Sequence, residues 1–280
     1  MELGVDVRPF SIVIPVHTET ELIEGCLRSC CQLDPSEVVV CLDNPPQDGV
    51  VEEISRVSRY LGIQERVRVI LVDRNLEYAF HQAWVRRQGF RAAKHDLILT
   101  VDIDNVVNKN VLQAVRLAGR EDIGFVSCLT RHTWRGPLGL WRLIGFTISN
   151  RLVGPAMTGL YALWRPFWLE TEDLMSIKRL GNARIAPGQS ALIGEDAHLC
   201  ESMRNRYRCI FLDVYGARCV RDDCNDLPSV QFETGRVYAK KMGFFKMMAI
   251  SFLFARFRIP LGYFSERFGG LRKARSRSWY

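Results

Sequence analysis

The 280-residue chain has no uninterrupted apolar run of the length that a bilayer-spanning helix requires, roughly 18–20 residues. It has nine cysteines but no C-x-x-C pair, and only Cys30 and Cys31 are adjacent. That argues against a zinc ribbon, and the scattered thiols read as reduced and cytosolic. Residues Met1 to Arg8 are short and acidic with no apolar stretch, so no signal peptide is expected. Acidic residues are nearly missing near the end: between Lys240 and Arg277 only Glu266 stands against a run of Lys and Arg. Internal repeats and low-complexity tracts are absent as well.

What is present is ordinary globular composition, with 48% hydrophobic and 25% charged residues. A chain this long can bury a substantial core as one large domain, or as one domain with an appendage. A net charge of +7 points to an anionic partner: a nucleotide, a phospholipid surface or nucleic acid. No interleaved aromatic and basic strand pattern supports the last, so nucleic acid is not expected.

Short apolar runs alternate with stretches of helical spacing. Phe10 to Val16, Glu37 to Leu42, Val67 to Val72 and Asp96 to Val101 read as strands. Glu21 to Cys31, Val50 to Leu61 and Tyr78 to Ala93 read as the intervening helices. The pattern predicts βαβ units and a mostly parallel sheet. It continues through helix Val111 to Ala118 and strand Ile123 to Leu129, then breaks in a Gly- and Trp-containing segment, Arg131 to Pro155. Strand Thr158 to Trp164, helix Pro166 to Leu180, a loop, helix Glu195 to Arg206 and strand Cys209 to Val214 follow. From Val230 a helical stretch is predicted to about Ile259, ended by Pro260.

Ligands of open α/β sheets bind outside the carboxyl ends of the strands, and polar residues collect there. Strand one runs into Pro15-Val16-His17-Thr18-Glu19, strand two into Asp43-Asn44, strand three into Asp73-Arg74 and strand four into Asp102-Ile103-Asp104-Asn105. Acids at i and i+2 on a strand share a face, and a turn at its end lets both approach one divalent ion. Hard oxygens suit Mg²⁺ or Mn²⁺ bridging to substrate phosphates. The plainer alternative is a polar turn with Asp104 or Asn105 capping a helix.

Taken in order, these segments resemble family 2 glycosyltransferases, which have a Rossmann-like, GT-A-type nucleotide-sugar-binding fold. Ser11 to Val16 is similar to the family's opening strand, and Val38 to Asp43 to its second strand, whose acid contacts the base. Asp102-Ile103-Asp104 matches its D-x-D metal motif, and Gly194-Glu195-Asp196 its G-E-D helix start. The resemblance covers about residues 9 to 240. The chain departs in the Asn44-Pro45-Pro46 turn, in Asn75 to Tyr78 after strand three, and in having no His near Val220, where relatives carry a third metal ligand. The Gln/Arg/Trp motif of processive members is reduced to Gln231, Arg236 and Tyr238, which argues against a polymer-making synthase.

The resemblance implies an inverting, metal-dependent glycosyltransferase acting on a UDP- or GDP-sugar. Asp104 would hold Mg²⁺ or Mn²⁺, with Asp102 on the ribose or the ion's water shell. Asp43 would accept from the base, Pro15, His17 and Glu19 would line the nucleotide slot, and Arg74 would reach phosphate. Asp196 is the candidate general base, with Glu195 second; the alternative is an acidic first turn of a helix. Arg131, Trp134 and Arg135 suit an acceptor loop, although Trp134 equally suits a core.

The predicted organisation is a catalytic domain over 1–228, with a nucleotide-binding half near 9–105 and an acceptor half near 106–228. A basic helical extension over 229–280 follows. Its apolar, aromatic stretch with basic flanks fits an in-plane interfacial helix on the cytoplasmic face of the membrane, beside a polyprenyl-phosphate, glycolipid or other glycan acceptor. The alternative is a helix packed on the domain. Two rival functions are a sugar-nucleotide nucleotidyltransferase, which needs a Gly-rich basic loop after strand one, and a catalytically silent sugar-nucleotide- or membrane-binding module.

Overall fold

The computed structural model describes residues 8–17, 19–43, 49–73, 81–131, 160–175, 199–200, 203–204, 206–220, 243–253, 260–261 and 264. The chain divides into two compact units, Met1–His132 with Gly154–Val220, and Thr133–Val153 with Arg221–Tyr280.

The first unit is built on βαβ repeats. Strands β1 (Phe10–Val16), β2 (Glu37–Asp43), β3 (Val67–Val72) and β4 (Leu97–Thr100) alternate with helices α1 (Thr20–Cys31), α2 (Val50–Tyr60) and α3 (His81–Ala92). β5 (Asn105–Val107), a 3-10 turn (Lys109–Val111), α4 (Leu112–Leu117), β6 (Ile123–Arg131), β7 (Tyr161–Trp164), α5 (Arg165–Met175) and β8 (Arg208–Cys219) complete it. The eight strands form one sheet in the order β3-β2-β1-β4-β7-β6-β8-β5. β1 pairs in parallel with β2 and β4, and β2 with β3; β7 runs antiparallel to both β4 and β6. The carboxyl ends of β1, β2, β4, β6 and β8 therefore share one edge.

β1 and β2 are buried along their whole length, which is why they read as continuous apolar runs rather than alternating ones. Each face of the sheet carries a core. Ile12, Ile14, Val40, Leu99 and Val126 pack on one side with Ile23, Leu27 and Ile54 of α1 and α2. Val13, Val39, Cys41, Ile98 and Phe125 pack on the other with Val85 and Phe90 of α3 and Trp168 of α5.

Two local features set the strands. Pro15 sits in β1 opposite Cys41. Val13 accepts from Val101 on the β4 side, so by alternation the Pro15 nitrogen faces that side too. The last β4 partner there is Thr100, opposite Val13, so the β1–β4 ladder ends where Pro15 has no N–H to continue it. Gly89 lets α3 lie close on the sheet: a Cβ there would run into Val13 and sit 2.6 Å from Cys41 Sγ.

Asp102 and Asp104 lie just past the end of β4, where the sequence reading places them, while other element boundaries differ from that reading. A short strand, β5, follows them where a helix cap was one reading, and it is Asn108 that caps, its side chain accepting from the Asn110 N–H at 2.9 Å. The predicted helix at 111–118 begins as a 3-10 turn. β8 runs to Cys219, five residues past its predicted end, because its second half pairs with β5 and with the end of β6. The predicted loop after Leu180, the start of the helix at Glu195 and most of the stretch from Val230 lie outside the described residues.

In the second unit one helix is described, α6 (Phe244–Leu253), in which only Lys246 and Ser251 are polar. No helix among the described residues is long and apolar enough to cross a membrane.

Candidate active site

The candidate groups gather where parallel strands end. At the β1 end, His17 follows Val16; at the β2 end, Asp43 is the last residue of the strand, in register with Val72 of β3. The imidazole Nδ1 of His17 lies 3.5 Å from Asp43 Oδ2, with Asp43 buried and His17 about a third exposed. Glu19 turns back to accept the His17 backbone N–H at 3.0 Å. Pro15, His17, Glu19 and Asp43 thus form one connected corner of the edge.

The second cluster follows β4. The Asn105 N–H donates to the Asp102 carbonyl at 3.0 Å, closing a tight turn. On its far side the Val220 N–H donates to the Asp104 carbonyl at 2.8 Å, tying the turn to the end of β8. The two carboxylates have different neighbours. Asp102 accepts from Arg86 of α3, whose guanidinium is 2% exposed while Asp102 is 26% exposed. Asp104 Oδ2 lies 3.5 Å from the Cys219 thiol, which donates to it. Beneath the turn, the Cys26 thiol of α1 lies 3.8 Å from the Asp102 carbonyl. A hydrogen bond with Cys30, burial, and the charges of Asp104 and Asp102 push that thiol well above its ordinary range.

This donor set fits a hard divalent cation. The oxygens are carboxylate oxygens in a partly exposed turn, and among the described residues no third His, Cys, Asp or Glu joins them to complete a protein cage. The two carboxylates found among the described residues leave coordination positions for water and for substrate phosphates, the usual arrangement for Mg²⁺.

Arg86 is the partner of this turn that the sequence reading missed. Its signal was its position: it falls on the buried stripe of Val85, Gly89, Phe90 and Ala93, where an arginine needs a carboxylate partner. Arg74, Glu195 and Asp196 lie outside the described residues, as do Trp134 and Arg135.

A mixed, mostly parallel eight-stranded sheet flanked by helices, with acids at the carboxyl ends of its first, second and fourth strands, defines a GT-A-type nucleotide-sugar-binding fold. The chain belongs to glycosyl transferase family 2, which it matches over residues 11–157. It is 32% identical over 103 residues to an undecaprenyl-phosphate 4-deoxy-4-formamido-L-arabinose transferase of Aeromonas hydrophila subsp. hydrophila. That match spans 35% of this chain and 30% of the relative's own length.

Among solved structures, a mannosyltransferase from Pyrobaculum calidifontis, in complex with GDP-Man and Mn²⁺, superposes with a TM-score of 0.55 at 18% identity. The alignment covers 96% of this chain and 80% of that one. TarS (residues 1–349) of S. aureus gives a TM-score of 0.51 at 14% identity, covering 95% and 73% of the two chains. These likenesses bear on the fold.

Proposed function

We propose that this enzyme is an inverting glycosyltransferase that uses a UDP- or GDP-sugar and a lipid-linked or surface-glycan acceptor. The observation that carries the reading is the meeting of the His17–Asp43 corner and the Asp102–Asp104 turn at one sheet edge, in a chain of this family. The nucleotide-binding half is residues 9–105 and the acceptor half 106–228. Asp43 accepts from the base N–H, with Pro15, His17 and Glu19 along the slot and Arg74 toward the phosphates. Asp104 and Asp102 would hold Mg²⁺ or Mn²⁺, which when bound neutralises the leaving diphosphate.

In the transfer, Asp196 takes the proton of the acceptor hydroxyl. The acceptor oxygen bonds to the anomeric carbon from the face opposite the diphosphate. The bond to the diphosphate breaks, and its electron pair leaves with the nucleoside diphosphate. One displacement with one base inverts the anomeric configuration. Glu195 is the second candidate for the base.

Peripheral contact with the cytoplasmic face of a membrane belongs to the same proposal. It is supported by Phe245 at 85% exposure and Phe252 at 59% on α6, and by the basic sequence that follows. The Aeromonas relative, named for undecaprenyl phosphate, supports a polyprenyl-phosphate acceptor.

The test is the product's anomeric configuration by NMR, with Asp196→Asn beside it. We expect inversion, and a loss of transfer of at least about 10²-fold in the variant with donor binding intact. Retention of configuration, or an Asp196→Asn variant as active as the parent, overturns the assignment.

A further inference from the structure

Arg131 ends β6 and Arg218 is the penultimate residue of β8, at the same edge as the Asp102–Asp104 turn. They are Cα partners in the parallel β6–β8 ladder, so their side chains leave one face of the sheet about 4.8 Å apart at the backbone. Alternation identifies that face. Ala217 belongs to the core packed by α1 and α2, and the ladder is regular from the Thr130–Ala217 pair to the Arg131–Arg218 pair, so Arg131 and Arg218 project from the opposite face. Both are exposed, and among the described residues neither is ion-paired.

Like charges directly opposite in a sheet destabilise it. Two guanidiniums side by side at a ligand-binding edge are relieved by one shared anion. Their planar forks match the oxygens of a phosphate better than a single point charge does.

The topology distinguishes which phosphate. The nucleotide strands are β1, β2 and β4. β7 separates β4 from β6, so β6 lies two strand spacings, about 10 Å, from β4. Arg218 nonetheless sits two residues before Val220, whose N–H binds the Asp104 carbonyl at 2.8 Å, and it is the Cα partner of Val106. The pair is therefore on the acceptor side of the turn and close to it.

We infer that Arg131 and Arg218 together bind a phosphate monoester carried by the acceptor. The inference rests on the glycosyltransferase reading above and names the acceptor's anchoring group.

Farnesyl phosphate, farnesol and inorganic phosphate serve as probes in titration calorimetry with the full chain. The comparison covers the parent, Arg131→Gln, Arg218→Gln and Arg218→Lys, each also titrated with UDP- and GDP-sugars. Farnesyl phosphate is expected to bind at least tenfold more tightly than farnesol. Each Gln variant should weaken it at least tenfold, and the Lys variant should recover part of the loss. Donor affinity should change less than twofold. The Gln variants, relieved of a like-charge contact, should melt no lower than the parent without ligand. Inorganic phosphate binding with the same Gln sensitivity supports the site and assigns recognition to the phosphate alone.

Farnesyl phosphate affinity unchanged in both Gln variants overturns the inference, as does a loss confined to the donor. Donor binding by a parent chain indifferent to every phosphate probe overturns this inference alone. A folded parent that binds no donor overturns the underlying functional reading.

Discussion

At the scale of single residues, Asp102 and Asp104 differ in what holds them. Arg86 is almost fully buried and reaches Asp102 from α3. Removing one member of such a pair leaves the other's charge in a poor solvent. Asp102→Ala should therefore cost about 3 kcal/mol of stability. The Arg86→Met/Asp102→Ala double variant should cost less than the sum of its parts. Asp104→Ala, at a partly exposed carboxylate beside Cys219, should cost under about 1 kcal/mol. Urea unfolding of the parent, the three single variants (Asp102→Ala, Arg86→Met and Asp104→Ala) and the double variant measures this, and equal costs for Asp102→Ala and Asp104→Ala would contradict it. The D-x-D spacing was legible in the sequence because carboxylates after an apolar strand are conspicuous. Their unlike surroundings were not, since Arg86 and Cys219 come from elements 16 residues before Asp102 and 115 residues after Asp104.

At the scale of elements, α3 is held by a close approach and by a buried carboxylate. Gly89 has no room for a Cβ between Val13 and Cys41. Gly89→Ala should lift α3 from β1 and β2 and cost about 1–3 kcal/mol, read as a lowered melting temperature; an unchanged one would contradict the packing described. At the other edge of the sheet, Glu37 accepts from Ser11 Oγ and the Lys94 N–H at 2.8 Å each, and from Arg68 Nη2 at 2.8 Å. Burial raises its pKa, but those three donors outweigh burial and hold it below the ordinary 4.5. A lowered folded pKa gives stability that is present above the unfolded value and is lost as pH falls through the folded one. Glu37→Gln should thus cost about 2 kcal/mol near neutral pH, with the gap to the parent closing below about pH 4.5. A pH-independent gap in thermal unfolding would contradict it. The βαβ order was legible because burial on both sheet faces leaves β1 and β2 as unbroken apolar runs. β5 was not, because three residues pairing with the distant β8 carry no periodic signal of their own.

For the whole molecule, the fold and the family agree with what the order of motifs implied, while the net charge of +7 is a statement about partners. If the aromatic residues of α6 and the basic sequence after it meet an anionic bilayer, the chain should sediment with phosphatidylglycerol vesicles and far less with phosphatidylcholine ones. Phe245→Ser/Phe252→Ser should weaken that binding several-fold, and equal sedimentation with both lipids would contradict it. The sheet edge as a donor site is tested by the melting temperature of the parent and of Asp104→Ala with UDP-, GDP- and dTDP-sugars, each with and without Mn²⁺. A ligand at a hundredfold its dissociation constant adds about 2.7 kcal/mol to the native state. The melting temperature should rise for one nucleotide class, dependent on Mn²⁺ and lost in Asp104→Ala. A folded parent whose melting temperature no sugar nucleotide raises, with Mn²⁺ present, would contradict it.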